Sequence, residues 1–558
     1  MFLKIQAFFT ALIIMLGSIA LLFRPAVPEG KSIDALINEP SVLHSVEPAD
    51  KVYIVDAGRL RAEELDTFIC LQGLVNREKA QLYLLMGGIH KMYLDEIGKS
   101  GVEVIKTDAD GNPWTLPLLI KAFKSCIRDS GYVLYRNSEF AEGLNTACNY
   151  ATAEGWLAVP EEIRDIAEDC GLVLKKDISK ETYNYGFLRD FFNEYKDAFR
   201  KGIVVHVKSD QRGLRDFAVQ QRYFITYSGN DTQGKNYLKK ILKWSGGNSY
   251  VLGWCEAEKQ FVRFISKFGC AVIPSDHSRN NSFLSAYSFD IPEQTGKGQA
   301  LQADPTKHYA AIVFSDGDNS QWVQNGFTEY YKKVASFDTF PMTWTFPLIQ
   351  QEVCPVSSVL AYGSAGENNC FVAGVSGSGY MNPSRFDVRC LDRFTTETAA
   401  MLYKSNMDIV SILDDKPDLF HEKMFAQSFD YYARFENIKG GLVQLDPDRY
   451  VSGKGRVWFS NDKPFLSVRL SLWYPESADG TVTAEWIEEQ ARIVNAYAAD
   501  PASVEGYSVI NVNPWSISVE NLAYFVSLLD AHVELVTADQ LIDLVAQNVA
   551  HKNAAPKA

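Results

Sequence analysis

The sequence predicts an α/β protein: a (β/α)8-like barrel over residues 307–550, with a distorted or seven-stranded ring as the alternative, preceded over residues 45–275 by an α/β domain with a mainly parallel sheet. Three observations carry this expectation. Short apolar runs alternate with stretches of helical period along the chain, which is the pattern of βα units. Past residue 306 eight such units follow one another over roughly 245 residues, the size of a (β/α)8 barrel. Finally, the runs Tyr309–Ser315 and Cys370–Val375 stop abruptly in polar clusters, Asp316-Gly-Asp318-Asn319 and Ser376-Gly-Ser-Gly-Tyr380-Met-Asn382-Pro383. A parallel strand covered on both faces leaves the loops at its C-terminal end free to hold chemistry.

Taken in order, the chain begins with Lys4 and an apolar stretch from Ala7 to Phe23, then Arg24, Pro25 and a polar spacer. This is an export signal, and its length is compatible both with a cleaved signal peptide and with an uncleaved membrane anchor, the segment 1–30 in either case. In the first domain the expected strands are 52–56, 82–86, 102–105, 132–135, 203–207, 250–254 and 271–274. Helical stretches are expected at 61–75, 89–99, 115–128, 233–244 and 256–268. Residues 276–306, rich in Asn, Ser, Gly, Gln and Lys, form a connector. The barrel strands are expected at 309–315, 341–346, 369–375, 408–413, 440–445, 465–471, 506–512 and 533–536, with helices between them.

Composition narrows the partners. The 558 residues are 46% hydrophobic and 22% charged, with a net charge of -14 and a pI near 5.2. Basic residues are dispersed among acids, which argues against nucleic acid. The nine cysteines show no CxxC spacing, so they are expected as buried small hydrophobes, with a disulfide or two in an oxidising compartment. The eight histidines include no i, i+4 pair on a helical face, so no metal-ligand set is assigned. Calcium remains open, because Asp316, Asp318 and Asn319 offer oxygen ligands.

The strand ends gather carboxylates, amides and indoles, the materials of carbohydrate chemistry. The expected catalytic pair joins Asp316 or Asp318 after the first barrel strand with Asp414 or Asp415 after the fourth, because those ends can face each other across a barrel mouth. Asn319, Tyr380, Asn511 and Asn513 are expected to orient hydroxyls, and Trp473 and Trp515 to stack on sugar rings. Each has a plainer reading. Asp316-Gly-Asp318-Asn319 is also a good turn and helix cap, and the glycines of the second cluster also permit positive φ angles.

The segment Ser376–Pro383 resembles the signature of the GxGYxYP family, whose label is putative glycoside hydrolases. Phe314-Ser-Asp316-Gly-Asp318-Asn319-Ser-Gln-Trp322 is similar to that family's other marked stretch. Leu71–Arg77 and Leu214–Phe217 are similar to the region that accompanies it, so the resemblance spans about residues 45–548. One departure stands out: the family's second Tyr is Asn382 here. The resemblance implies sugar processing without fixing a reaction. The expected function is an exported glycoside hydrolase acting on an oligo- or polysaccharide, touching a membrane only through an uncleaved N-terminal segment. The alternative is a non-catalytic glycan-binding or cell-envelope protein, calcium-dependent if the Asp cluster holds a cation.

Overall fold

The computed structural model describes residues 26–136, 142–208, 210–317, 319–327, 339–415, 421–475 and 482–557. The apolar stretch 7–23 and Asp318 lie outside the described residues. Among the described residues no helix is long and apolar enough to cross a membrane.

All eight expected barrel strands form, as His308–Phe314, Met342–Phe346, Asn369–Ala373, Ile409–Asp414, Gly440–Leu445, Lys463–Leu472, Tyr507–Val512 and Val533–Val536. Every residue of the first strand is buried, as are those of the second to fifth and the seventh. Burial on both faces explains why these strands read as continuous apolar runs and do not alternate. Seven of them close the ring. The first strand pairs with the seventh along one edge, from Tyr309↔Tyr507 to Phe314↔Val512. On its other edge the lower half, His308 to Ala311, pairs with the eighth strand, whereas Val313 and Phe314 pair with Thr343 and Trp344 of the second. The eighth strand has only four residues, so it wedges under the ring and does not reach the mouth. A short strand the sequence reading missed, Val457–Ser460, folds back antiparallel on the sixth.

The preceding strands are all parallel, as expected, but they divide among three small sheets. Glu47–Asp56 lies between Lys79–Leu85 and Glu103–Ile105. Gly131–Tyr135 lies between Leu157–Pro160 and Val173–Asp177. The third sheet orders Ala271–Ile273, Tyr250–Gly253, Arg200–His206 and Tyr223–Thr226. Three strands here went unrecognised. Val173–Asp177 is wholly exposed and carries two lysines, so it shows no core pattern, whereas Leu157–Pro160 and Tyr223–Thr226 are buried but only four residues long, and the first ends in proline. Within 276–306, Asn280 is buried and bonds Gln72, Leu84 and His90, pinning that stretch to the first sheet. All nine cysteines are unpaired, and six of them are buried, as small hydrophobes would be.

Candidate active site

The turn after the first barrel strand is built by close approach. A Cβ on Gly317 would sit 1.7 Å from the Thr345 carbonyl oxygen, so only glycine lets this turn lie on the second strand. The Gly317 N–H donates to Thr345 Oγ1 at 2.9 Å, and that hydroxyl donates to the Phe314 carbonyl at 2.8 Å. Asp316, one residue earlier, is held at φ 65°, a left-handed turn conformation that Asp tolerates better than most side-chain-bearing residues. Asn319 caps the next helix, its Oδ1 accepting from the Trp322 N–H at 3.2 Å, as the plainer reading of this motif had it.

The loop after the third strand is stitched to its surroundings along its length. Gly377 sits at φ 100°, and Ser378 N–H donates to Thr398 Oγ1. Tyr380 exchanges two 2.8 Å backbone bonds with Val272, which adds the loop to the edge of the third α/β sheet. A Cβ on Gly379 would lie 2.9 Å from Ala271 Cβ and 3.0 Å from Ile273 Cδ1. This glycine therefore seats the barrel loop against the preceding α/β unit. The loop then descends to the fourth strand, where Ser384 N–H and Oγ–H donate to Asp414 at 2.6 and 2.7 Å.

Between the barrel mouth and the third α/β unit lies a cavity of about 300 Å³. Asp316, Asn319, Tyr380, Trp473, Asn513 and Trp515 line it, joined by Glu258, Trp254 and Gln444. Two carboxyl groups thus share one cavity. Asp316 comes from the barrel, whereas Glu258 begins the helix Glu258–Ser266 of the α/β unit. The Tyr380 hydroxyl donates to Glu258 Oε1 at 3.1 Å and fixes it. Burial raises the Asp316 carboxyl to about 6; the Trp515 side chain bonds it and opposes the rise, and the charge of Glu258 adds to it. Burial also raises Glu258, against the Tyr380 bond and with the charge of Asp446 adding to the rise. Trp515 is exposed and packs beside Trp322 at 5.0 Å between ring centroids, and Trp473 meets Tyr450 edge-on at 5.5 Å.

These loops carry the family signature. Residues 306–546 match the "GxGYxYP putative glycoside hydrolase C-terminal domain", 130–199 the "GxGYxYP_N second domain" and 201–286 the "GxGYxYP third domain". The chain belongs to the GxGYxYP family. The same architecture occurs in a crystal structure described as a putative hydrolase from Bacteroides thetaiotaomicron, with a TM-score of 0.81 and 24% identity over 92% of this chain and 98% of that one. A structure described as a putative polysaccharide deacetylase from Mycobacterium smegmatis aligns with 47% of this chain and 98% of its own length at 14% identity, but its TM-score of 0.30 is too low to bear on the fold. No curated protein matches the chain.

In this GxGYxYP protein the expected partnership across the mouth does not form. Asp414 is fully buried beneath Ser384, away from the cavity lining, and burial raises its carboxyl to about 7. Asp415 is also buried; it pairs with Arg263 and accepts from Asn382 Nδ2 at 2.9 Å. Both acids clamp the loop from below, because the fourth strand turns their side chains under it. Asn382, standing where the family has its second Tyr, is 4% exposed and serves that clamp. Asn511 is likewise behind the lining, bonded to Gln444 and Ser471. Trp344 is wholly buried and stacks on Phe314 at 4.1 Å, a core residue. Among the described residues no group of three or more His, Cys, Asp or Glu side chains is placed to hold a metal ion.

Glu258 was missed because strand ends were read for chemistry only in the barrel. The signal was there: Tyr250–Gly253 is an apolar strand followed at once by Trp254 and, four residues later, Glu258.

Proposed function

We infer a hydrolase-like function from membership of the GxGYxYP family, whose C-terminal domain is described as a putative glycoside hydrolase. We propose that the protein is an exported glycoside hydrolase whose working carboxyl groups are Asp316 and Glu258. One observation carries this reading: two acids from separate units enter one cavity walled by three indoles, and burial raises both carboxyl groups. Such a pair is the material of glycosidic cleavage. Asp316 serves as proton donor to the departing glycosidic oxygen. Burial keeps the proton on to about pH 6, well past an ordinary aspartate, and the bond from Trp515 steadies the carboxylate once the proton has left. Glu258, oriented by Tyr380, acts on the anomeric carbon directly or through water. Asn319 and Asn513 meet hydroxyls, and the indoles of Trp254, Trp473 and Trp515 take the apolar faces of the sugars. Export rests on the apolar stretch 7–23 followed by Arg24.

The test is a panel of aryl glycosides with good and poor leaving groups, compared with natural glycans. Asp316→Asn should lose activity on poor leaving groups and keep much of it on activated ones, because only the former need an acid. Glu258→Gln should lose both. Loss-free turnover by either folded variant would sink the assignment, and glycan binding without product release by the parent enzyme would favour the non-catalytic alternative.

A further inference from the structure

The cavity around Asp316 does not end at Trp473. A second chamber of about 450 Å³ is lined by Glu258, Tyr450 and Trp473, which also line the first, and by Lys259, Asp446 and Arg449. The two form one cleft, with Glu258 at their junction. The edge-on pair of Tyr450 and Trp473 makes an aromatic wall that passes from one chamber to the other. A cleft that continues past the reacting acids along such a wall accommodates more than one sugar unit.

The charge in the second chamber is specific. Lys259 is neutralised by Asp446, Nζ to Oδ2 at 2.9 Å. Arg449 instead donates from Nη1 to the Trp473 carbonyl at 3.1 Å, and among the described residues it meets no carboxylate. Arg449 lines the chamber and is exposed to solvent. The loop that holds it is closed by the Leu445 N–H donating to the Tyr450 carbonyl and the Ser452 N–H to the Leu445 carbonyl, each at 3.1 Å. Arg449 and Tyr450 are both left-handed, at φ 46° and 74°. Two consecutive side-chain-bearing residues in that region are costly, and such strain gathers at ligand clamps. In a protein of net charge -14, a strained loop presents one guanidinium without a carboxylate partner among the described residues, in the chamber that Glu258 also lines.

We infer that the second chamber is a sugar subsite for an acidic residue of the substrate, a hexuronate whose carboxylate is gripped by Arg449. The planar fork of the guanidinium matches a carboxylate in a two-bond geometry that neutral hydroxyls do not satisfy. The inference rests on the glycan reading above and narrows it to chains that carry uronate next to the cleaved linkage.

The experiment uses matched pairs of oligosaccharides, identical in linkage and differing only in hexuronate against hexose at one unit. Binding is read by tryptophan fluorescence of the full protein in its Asp316→Asn form, so that no turnover intervenes. The acidic member should bind about tenfold more tightly, as expected for hydrogen bonds to a charged group, and the preference should weaken as salt rises. Arg449→Gln should erase the preference, bringing the acidic member to the same affinity as the neutral one, and Arg449→Lys should keep part of it. Equal affinity within every pair, a preference that survives Arg449→Gln, or failure of every pair to bind would overturn the inference. Binding of the acidic member with no hydrolysis by the parent enzyme would sink the hydrolase reading alone. Hydrolysis of neutral and acidic chains with equal efficiency would sink only the subsite.

Discussion

Replacing Asp316 by Asn should separate stability from activity in opposite directions. The carboxyl is raised from 3.8 to about 6 by burial. A rise of about two units corresponds to roughly 3 kcal/mol against the folded state when the group is ionised. Because the folded value lies above the unfolded one, this penalty is absent below pH 3.8, grows between pH 3.8 and 6, and is complete above pH 6. Asn cannot ionise, and its amide oxygen can still accept from Trp515. Asp316→Asn should therefore resist urea better than the parent at pH 8, by up to about 3 kcal/mol, and by almost nothing at pH 4. The same variant should lose on the order of a hundredfold or more in turnover of substrates with poor leaving groups, the usual weight of a general acid. Urea titrations followed by tryptophan fluorescence at the two pH values, alongside rate measurements, provide the readouts. A variant that is less stable at pH 8, or whose stability difference is independent of pH, would refute the burial argument. One that turns over at the parent rate would refute the catalytic one.

Other expectations follow from the loop and its supports. Asp414→Ala should cost about 2–4 kcal/mol, because the Ser384 N–H and hydroxyl lose both acceptors in the interior, whereas Asp414→Asn should be nearly tolerated; thermal denaturation of the two variants tests this. Gly379→Ala pushes a methyl into Ala271 and Ile273 and should cost about 1–3 kcal/mol. It should also depress activity by moving the loop away from Glu258; an unchanged rate would show that the seam does not position the site. Stability should fall by about 1 kcal/mol per pH unit between pH 7 and 8, because Glu142, raised by burial to about 8, and Asp414 keep protons that the unfolded chain has released. The buried His90, His206 and His308, each lowered to about 4, oppose this only where the unfolded chain begins to protonate them, below about pH 6.5. Urea midpoints across pH 5 to 8 would show whether the slope has this sign.

Much of the site was readable in order along the chain. Asp316, Asn319, Tyr380, Trp473, Asn513 and Trp515 follow barrel strands directly, and a covered parallel strand leaves its C-terminal loop as the place where such side chains can meet. Asp414 and Asp415 follow a strand in the same way, yet they are turned under the loop and used to hold it. Sequence position gives the end of a strand but not whether a side chain there points into the mouth or beneath it.

By itself the sequence determined the kind of elements and the eight strands of the barrel region: apolar runs with helices between them, and parallel strands before them. Periodicity and burial are local properties, and each run carries its own evidence. Only the tertiary structure decided that seven strands close the ring, since the eighth is too short to reach the mouth, and that the earlier strands divide among three sheets. It also decided that Asp316 shares its cavity with Glu258. Those are matters of pairing between distant segments, set by how the α/β unit docks on the barrel through Gly379, Tyr380 and Val272, and no local pattern in either segment encodes its partner.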